Sequence, residues 1–338
     1  MPDQKRVTIK DVARETGLAI STVSNALAGK ELVKPETRSF VVETAERLGY
    51  RASIVARSLR AQRSYAIGVL IEDVSNPSAS AFVRGVEDVA ISAGCTLLLA
   101  DTDSDLERQV TAMRTLIDRQ VDGLVLISQH LADPRVREML TSGTPSVLIQ
   151  RRDPGLSLDY VGSDNAGGLI EALRYIYRLG HRRIGFVTGP MHSSSARERL
   201  EAFQTTATEL GFEDSESLIY EGRYSFRSGL EAAGFFSGLR TPPTSIFASN
   251  DMNAIGLMQG LAERGMATPR DVSVVGLDDI DLAGLKAIDL TTVRLEKRAI
   301  GSEAARLLLR RVTEPDRPAE TSILPTRLIV RGTTGPLT

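Results

Sequence analysis

Short apolar runs alternate with amphipathic stretches from residue 65 onward, and this alternation limits the possible folds more than any other feature of the chain. The apolar runs span 66–71, 95–100, 123–128, 146–150, 183–189, 245–249 and 272–277. Helical spacing of apolar residues lies between them, for example over 80–93, 105–119, 166–179, 196–210 and 252–264. Strands that alternate with helices form parallel sheets covered by helices on both faces. This region is longer than one such sheet commonly requires, so two α/β lobes are predicted.

The balance of basic and acidic residues also changes near residue 64. Residues 1–64 carry 12 Lys or Arg and 7 Asp or Glu, whereas the remainder carries 29 and 36. A basic amino-terminal part joined to an acidic body indicates that the basic part meets a polyanion. Hydrophobic residues make up 42% of the 338 residues and charged residues 25%, which excludes wholesale disorder.

No apolar stretch approaches the length of a membrane-spanning helix, and the charged opening MPDQKRVTIKDVARE lacks the apolar core of a secretory signal. The single cysteine, Cys95, excludes an intrachain disulfide and is expected to be a small buried residue. These features predict a cytoplasmic protein without a membrane partner.

The amino-terminal segment 8–50 is predicted to form three short helices. In the second helix Val23 and Ala26 share an apolar face, and short polar side chains occupy the opposite face, namely Ser21, Ser24 and Asn25. A surface helix with hydrogen-bonding residues and almost no charge suits the major groove, where base edges offer donors and acceptors. The pattern predicts a helix-turn-helix module.

The third helix is expected to begin near Pro35 and to bury Phe40, Val41 and Ala45. Residues 51–64 then form an arginine-rich segment without acidic residues. This segment has helical potential but is too short to be a stable helix by itself in water.

Several strings along the chain resemble the LacI/GalR family of bacterial transcriptional repressors. TIKDVARETGLAISTVSNAL, KPETRSFVVETAERLGYRAS and VARSL resemble its DNA-binding segment. IEDVSNPSASAFVRGVEDVA, RRDPGLSLDYVGSDN, LGHRRIGFVTGP, SARERLEAF, FASNDMNAIGL and DVSVVGLDDIDLA resemble landmarks of its body. The resemblance therefore covers essentially the whole chain.

The resemblance implies a helix-turn-helix three-helix module followed by a two-lobed, periplasmic-binding-protein-like α/β body. The expected domains are a DNA-binding domain at 1–50, a hinge helix at 51–64, and an effector-binding and dimerisation body at 65–338. Lobe 1 is expected at about 65–163 and 293–325, and lobe 2 at about 164–292 and 326–338. The implied function is a sequence-specific repressor, a homodimer on near-palindromic operator DNA, whose operator affinity is set by a small sugar-like effector.

The resemblance also implies which residues meet DNA. In this family the hinge helix folds on the operator, and a leucine, here Leu59, wedges into the minor groove. Asn25 stands where the family usually has an arginine, so adenine is expected in place of guanine at that operator position. The predicted DNA-binding residues are Thr8, Ile20, Ser21, Thr22, Ser24, Asn25, Thr37, Tyr50, Ser53, Ala56, Arg57, Leu59 and Arg60.

Ligands of open α/β sheets bind beyond the carboxyl ends of the strands. Polar residues that follow the apolar runs are therefore predicted to bind the effector, namely Asp73, Ser128, Gln150, Arg151, Asn250 and Asp278. The resemblance adds Phe82 and Tyr224 as apolar walls and Arg199 as the arginine that grips the effector. Gln150 stands where the family commonly has aspartate, so the identity of the effector does not transfer.

Two other functions remain open at this point. An enzyme is disfavoured because the chain lacks GxGxxG after the first strand, GxxxxGK[ST] and GxSxG. A cytoplasmic sugar-binding module without a DNA role is the main alternative, and the arginine-rich hinge argues against it. No cofactor is expected. The three histidines are scattered in sequence, so no metal site is predicted, and His192 is expected to be a loop residue without a role.

Overall fold

A computed structural model describes residues 7–27, 32–50 and 63–337 of the chain. The chain divides into two compact units, Met1–Ser64 and Tyr65–Thr338. In the described residues, no helix is both long enough and apolar enough to cross a membrane.

The first unit contains three helices, α1 (Ile9–Thr16), α2 (Ile20–Leu27) and α3 (Pro35–Arg47). Asp11 caps the start of α1, because its carboxylate accepts hydrogen bonds from the backbone N–H of Thr8 at 2.9 Å and from the Thr8 hydroxyl at 2.7 Å. Gly17 ends this helix with a φ of 66°, a conformation that favours glycine.

The core of this unit is formed by small apolar residues from all three helices: Val12, Ala13, Val23, Ala26, Val33, Val41 and Ala45. The predicted apolar face of α2 is therefore buried, since Val23 and Ala26 both lie in this core. The prediction that Phe40 is buried is wrong, because its side chain is 50% exposed. Successive residues of an α-helix are rotated by about 100° around the helix axis. This rotation places Phe40 at the edge of the face that buries Val41 and Ala45.

The first lobe of the larger unit is a six-stranded, wholly parallel sheet in the order β11-β5-β4-β3-β1-β2. Its strands are β1 (Ala66–Ile71), β2 (Thr96–Asp101), β3 (Gly123–Ile127), β4 (Ser146–Ile149), β5 (Asp159–Ser163) and β11 (Thr321–Leu324). Its helices are α4 (Pro77–Ser92), α5 (Leu106–Asp118), α6 (Pro134–Thr141) and α11 (Lys297–Thr313). Apolar clusters cover both faces of the sheet, which explains why its central strands are continuous apolar runs.

The second lobe repeats this arrangement with the strand order β12-β10-β9-β8-β6-β7. Its strands are β6 (Ile184–Thr188), β7 (Ile219–Glu221), β8 (Ser245–Ala248), β9 (Ser273–Asp278), β10 (Thr291–Leu295) and β12 (Thr326–Ile329). Its helices are α7 (Asn165–Arg178), α8 (Ser194–Leu210), α9 (Phe226–Ser237) and α10 (Asp251–Ala262). Only the edge strand β12 of this sheet is antiparallel to its neighbour.

The chain passes between the lobes three times. The passages follow β5, β10 and β11, at residues 164, 296 and 325. The second passage falls later than expected, because residues 293–295 belong to the second lobe rather than the first. Val293 and Leu295 pair with Leu328 and Thr326 of β12, so this strand continues beyond the predicted boundary.

One pair of helices in each lobe crosses at glycine. A Cβ atom on Gly85 of α4 would lie 2.0 Å from the carbonyl oxygen of Arg298, and one on Gly301 of α11 would lie 2.0 Å from that of Phe82. Gly229 and Gly256 bring α9 and α10 together in the same way. The backbones approach so closely that no side chain fits between them.

We expect Gly85→Ala to lower the free energy of unfolding by about 1–3 kcal/mol, although alanine is usually the better helix former. The methyl group would meet backbone atoms, which can yield only if the helices separate. Urea unfolding of the purified protein measures the change. Gly284→Ala is the control, because its Cβ would meet only the end of Arg331 at 3.8 Å. Equal stability of the two variants would contradict the close packing.

Candidate functional site

The first unit exposes the surface that the sequence predicts for DNA. Ile20 of α2 is 47% exposed and Ser21 is exposed, while Ser24 and Asn25 are half-buried. Thr8 is exposed, and three further predicted residues are half-buried, namely Thr22, Thr37 and Tyr50. The other predicted DNA contacts lie outside the described residues: Ser53, Ala56, Arg57, Leu59 and Arg60.

The larger unit contains a cavity of about 780 Å³ between its two lobes. In each lobe the strand order reverses between the first and third strands, at β1/β3 and at β6/β8. Such reversal points open a crevice at the carboxyl ends of the strands. The lining comes largely from the loops after β1, β2, β6 and β7, and from α4: Glu72, Asp73, Asn76, Ser78, Ala79, Phe82, Asp103, Ser104, Ile127, Ser128, Pro190, His192, Glu221, Gly222, Arg223, Tyr224 and Ser225.

Four of the nine predicted effector-binding residues line this cavity: Asp73, Phe82, Ser128 and Tyr224. The other five lie outside the lining, namely Gln150, Arg151, Arg199, Asn250 and Asp278. Each of those five has partners that explain its position, and direct contact with an effector stays a prediction for all of them.

Arg151 lies directly behind the cavity wall. Its Nη2 donates to both carboxylate oxygens of Glu72 at 2.8 and 2.7 Å, and its guanidinium carbon lies 5.9 Å from the ring centre of Tyr224. The side chain is buried, yet Nε and Nη1 have no hydrogen-bond partner among the described residues. Unpaired buried donors are costly. Nε and Nη1 of Arg151 are therefore donors that still lack an acceptor in the described residues.

Tyr224 closes the opposite side of the cavity. Its ring packs against Gly189, where a Cβ atom would clash with the ring, and its buried hydroxyl has no partner in the described part of the chain. Asn250 supports this tyrosine, because its Nδ2 donates to the carbonyl oxygen of Tyr224 at 3.3 Å. The Oδ1 of Asn250 accepts from the backbone N–H of Asn253 at 2.8 Å and caps α10.

Gln150 and Arg199 are occupied inside their own lobes. Gln150 donates from Nε2 to the Ser163 hydroxyl at 2.8 Å. Arg199 donates from Nη2 to the Asn165 side chain at 2.8 Å and from Nη1 to the carbonyl oxygen of Ser249 at 3.0 Å. Either residue could bind the effector only if it replaced these hydrogen bonds with hydrogen bonds to the effector.

Asp278 and Asp251 form a buried acidic pair behind the second lobe's strand ends. Burial is the main cause that raises the pKa of both carboxyls, and the charge of Asp278 raises that of Asp251 further, to about 7. Asp251 accepts from the Ile280 backbone N–H at 2.8 Å and from the Thr292 hydroxyl at 2.5 Å. This carboxyl ties α10 to β10 and to the loop after β9.

Two histidines that are far apart in sequence meet across the cleft. His130 follows β3 in the first lobe and His192 follows β6 in the second, and their rings stack with centres 4.3 Å apart and planes inclined by 24°. Separation in sequence therefore does not keep these two histidines apart, because the two strand ends face each other. Partial desolvation in the cleft, and then the charges of His130 and Arg151, lower the pKa of His192 to about 4, although this side chain keeps contact with solvent.

Sequence reasoning missed several lining residues: Glu72, Asn76, Asp103, Ser104, Glu221 and Arg223. Glu72 directly follows β1, one position before the predicted Asp73. Asp103 and Glu221 lie at β2 and β7, the strands on the far side of each reversal point. The strand-end rule applied strictly to β1 and β2 would have found Glu72 and Asp103, whereas β7 has no apolar run from which the sequence could predict Glu221.

Asp251→Asn should change how stability depends on pH. The pKa of Asp251 is higher in the folded chain, about 7, than the ordinary value of 3.8. The folded state therefore binds the proton more tightly, and the stability that this proton contributes is present below about pH 4 and is lost as pH rises through 7. An amide cannot ionise. We therefore expect the midpoint of thermal unfolding of Asp251→Asn to rise relative to that of the original chain as the pH rises from 5 to 8.

Asp118→Asn, at an exposed position on α5, is the matched control for this comparison. The control should leave the pH profile of the midpoint unchanged. Parallel profiles for Asp251→Asn and the original chain would refute a raised pKa.

Both units match known protein families. Residues 8–53 match the family described as bacterial regulatory proteins, lacI family, and residues 173–334 match a periplasmic binding protein-like domain. Catabolite control protein A of Priestia megaterium is 32% identical over 329 residues, which are 97% of this chain and 99% of that protein.

Solved structures show the same fold over nearly the whole length. The lac repressor dimer bound to operator and the anti-inducer ONPF has a TM-score of 0.87 and 26% identity, with 98% of this chain and 100% of that chain covered. The complex of the transcriptional regulator CelR with cellobiose has a TM-score of 0.74 and 28% identity, with 97% and 100% covered. The predicted fold, a helix-turn-helix module with a two-lobed α/β body, is confirmed, and so is the prediction of a regulator rather than an enzyme. The chain belongs to the lacI family of bacterial regulatory proteins and is a DNA-binding transcriptional regulator with a small-molecule effector.

Proposed function

We propose that this protein is a homodimeric repressor that binds a near-palindromic operator in the cytoplasm and whose operator affinity is set by a sugar-like effector held between the lobes. The observation that carries the effector half of the proposal is the cavity together with unsatisfied buried donors near it: the hydroxyl of Tyr224 in the lining, and Nε and Nη1 of Arg151 behind the lining. The lac repressor and CelR structures support it by similarity, since one holds operator and the other cellobiose.

The polar face of α2 supports operator recognition. Val23 and Ala26 are buried against the rest of the first unit, which leaves Ser21, Ser24 and Asn25 on the other side of the helix. Short polar side chains on a supported helix fit the major groove, and Asn25 offers both a donor and an acceptor to adenine. A symmetric dimer would present two such helices to two half-sites.

The chemistry of the cavity favours a neutral polyhydroxylated effector. Four carboxylates line it, Glu72, Asp73, Asp103 and Glu221, against a single lining cation, Arg223. Carboxylates and serine hydroxyls bind sugar hydroxyls, and the aromatic rings of Phe82 and Tyr224 offer apolar surfaces to the ring carbons. Excess negative charge disfavours a phosphorylated ligand.

Coupling between effector and operator would follow from motion of the lobes. Closure of the cleft would change the position of the first lobe relative to the second. The chain between the lobes is short at each of the three passages. We propose that this motion changes the separation of the hinge segments, 51–64, in the dimer and thereby the stability of their helices on DNA. The effector shifts the equilibrium only by its different affinity for the two arrangements.

The alternative, a sugar-binding module without a DNA role, predicts no discrimination among duplexes. Selection from random duplexes, followed by competition at physiological salt with and without candidate sugars, separates the two functions. We expect specific binding at least about 1,000-fold tighter than non-specific binding. Equal affinity for selected and random duplexes in every condition would overturn the proposed function.

Asn25→Ala should relax the preference for adenine at one position of each half-site. A bidentate amide contact discriminates by about 1–3 kcal/mol, so we expect about a 5-fold to 150-fold loss of preference at that position alone. Ser39→Ala on the exposed side of α3 is the control and should keep the selected sequence. A preference for guanine in the original chain, or an unchanged preference in Asn25→Ala, would refute the assigned contact.

Substitutions in the cavity should weaken effector binding and leave operator binding without effector intact. A thermal-shift screen of sugars, polyols, sugar phosphates and nucleosides identifies the ligand, and calorimetry then compares variants. We expect Asp73→Asn to lower affinity about 10-fold, because hydrogen bonds to charged groups contribute about 1.5–3 kcal/mol. Glu138→Gln, exposed on α6 outside the cavity, is the control. Unchanged affinity in Asp73→Asn would remove this residue from the site.

A further inference from the structure

Three potential metal ligands converge at the mouth of the cleft. They are Glu72 after β1, His130 after β3 and His192 after β6. One ligand atom from each residue lies within 4.8 Å of the corresponding atoms of the other two. The chain has only three histidines, and two of them meet at this point although they belong to different lobes.

We propose that Glu72, His130 and His192 bind a divalent transition-metal ion such as Zn²⁺, which links the two lobes at the mouth of the cleft. Two imidazole nitrogens and one carboxylate form a ligand set that suits Zn²⁺, with water completing the coordination. The nitrogen ligands select such ions over Mg²⁺ and Ca²⁺, which prefer oxygen ligands alone.

The histidine nitrogens are accessible for this role. No hydrogen bond to the ring of His192 is recorded within the described ranges, and its side chain is exposed. His130 Nε2 lies 3.4 Å from the carbonyl oxygen of Ser104. With Nε2 as donor to this carbonyl, Nδ1 of His130 is the nitrogen left to bind the ion. A carbonyl partner of this kind orients metal-bound histidines in general.

Glu72 has a second partner that limits the affinity. Arg151 Nη2 contacts both carboxylate oxygens, at 2.8 and 2.7 Å. One oxygen can bind the ion while the other keeps the arginine, but the positive charge of Arg151 opposes a cation nearby. The site is therefore expected to bind metal more weakly than a closed structural zinc site.

Binding of the ion would also link the lobes. Tetrahedral Zn²⁺ has bonds of about 2.0–2.2 Å, and the three ligand atoms lie within 4.8 Å of one another. The stacked rings must turn so that one nitrogen of each points at the ion. Because His192 is the one ligand from the second lobe, the ion holds the lobes in the arrangement that brings these residues together.

The test is metal binding by the full-length chain, freed of any purification tag, with neither DNA nor effector present. Calorimetric titration with ZnCl₂ gives stoichiometry and affinity, and titration with CoCl₂ gives the visible absorption of protein-bound cobalt. We expect one ion per chain and a rise in the thermal midpoint at saturating Zn²⁺. Absence of saturable binding at millimolar metal would overturn the proposal and would leave the proposed regulatory function untouched.

Variants identify the ligands. His192→Phe and His130→Phe keep an aromatic ring for stacking but remove both nitrogens, so each should weaken Zn²⁺ binding at least about 10-fold. Glu72→Gln should also weaken it. Circular dichroism and the thermal midpoint without metal confirm that each variant folds, and the exposed position of His192 makes it the most tolerant of the three.

The control is the third histidine. His181 is buried at the other end of the second lobe's sheet and bonds to Thr244 and Gly335 at 2.9 and 3.0 Å. His181→Gln should bind Zn²⁺ as the original chain does. Full-strength binding in both His192→Phe and His130→Phe would place the metal elsewhere and refute the site.

Discussion

The strand order that the two sheets share is the constraint on which the function of the body depends. In each lobe the chain forms one strand, adds the next on one side and the third on the other, and this reversal leaves a crevice at the strand ends. Polar loop residues collect there because the strands themselves are buried on both faces. The cavity is thus a consequence of topology, and the residue types after β1, β2, β3, β6 and β7 and on α4 decide what it binds.

The contacts that join the lobes across the cleft are polar and few compared with the apolar cores inside each lobe. Arg152 donates its backbone N–H to the Ser194 hydroxyl at 2.9 Å, Arg151 faces Tyr224, and His130 stacks on His192. No apolar cluster of the described residues spans both lobes, so opening the cleft breaks polar contacts and leaves each core intact. Opening the cleft therefore costs much less than opening a lobe, which is the energetic condition for a ligand of modest affinity to shift the arrangement.

The sequence predicted those features of the fold that depend on residues close together in the chain. The apolar runs at 66–71 and 123–128 became β1 and β3, and the polar face of α2 remained at the surface. Strands with polar residues or partners far along the chain were missed, such as β10 and β12, because their pairing depends on contacts between distant segments. The meeting of His130 and His192 was missed for the same reason. Gln150 follows the strand-end rule yet bonds inside its own lobe, since the rule fixes a position and not the direction of a side chain. Arg199, which the resemblance and not the rule suggested, also bonds inside its own lobe.

Effector and metal would act on the same equilibrium through different groups. The unpaired donors of Arg151 gain partners when a polar ligand fills the cavity, whereas the ion needs His192 of the second lobe beside Glu72 and His130 of the first. An arrangement of the lobes that suits both would let each strengthen the other unless they compete for Glu72, which bonds to Arg151 and also lines the cavity. Glu72 thus decides the sign of the coupling: a ligand that takes its carboxylate displaces the ion, and a ligand bound through Asp73 and Tyr224 retains it.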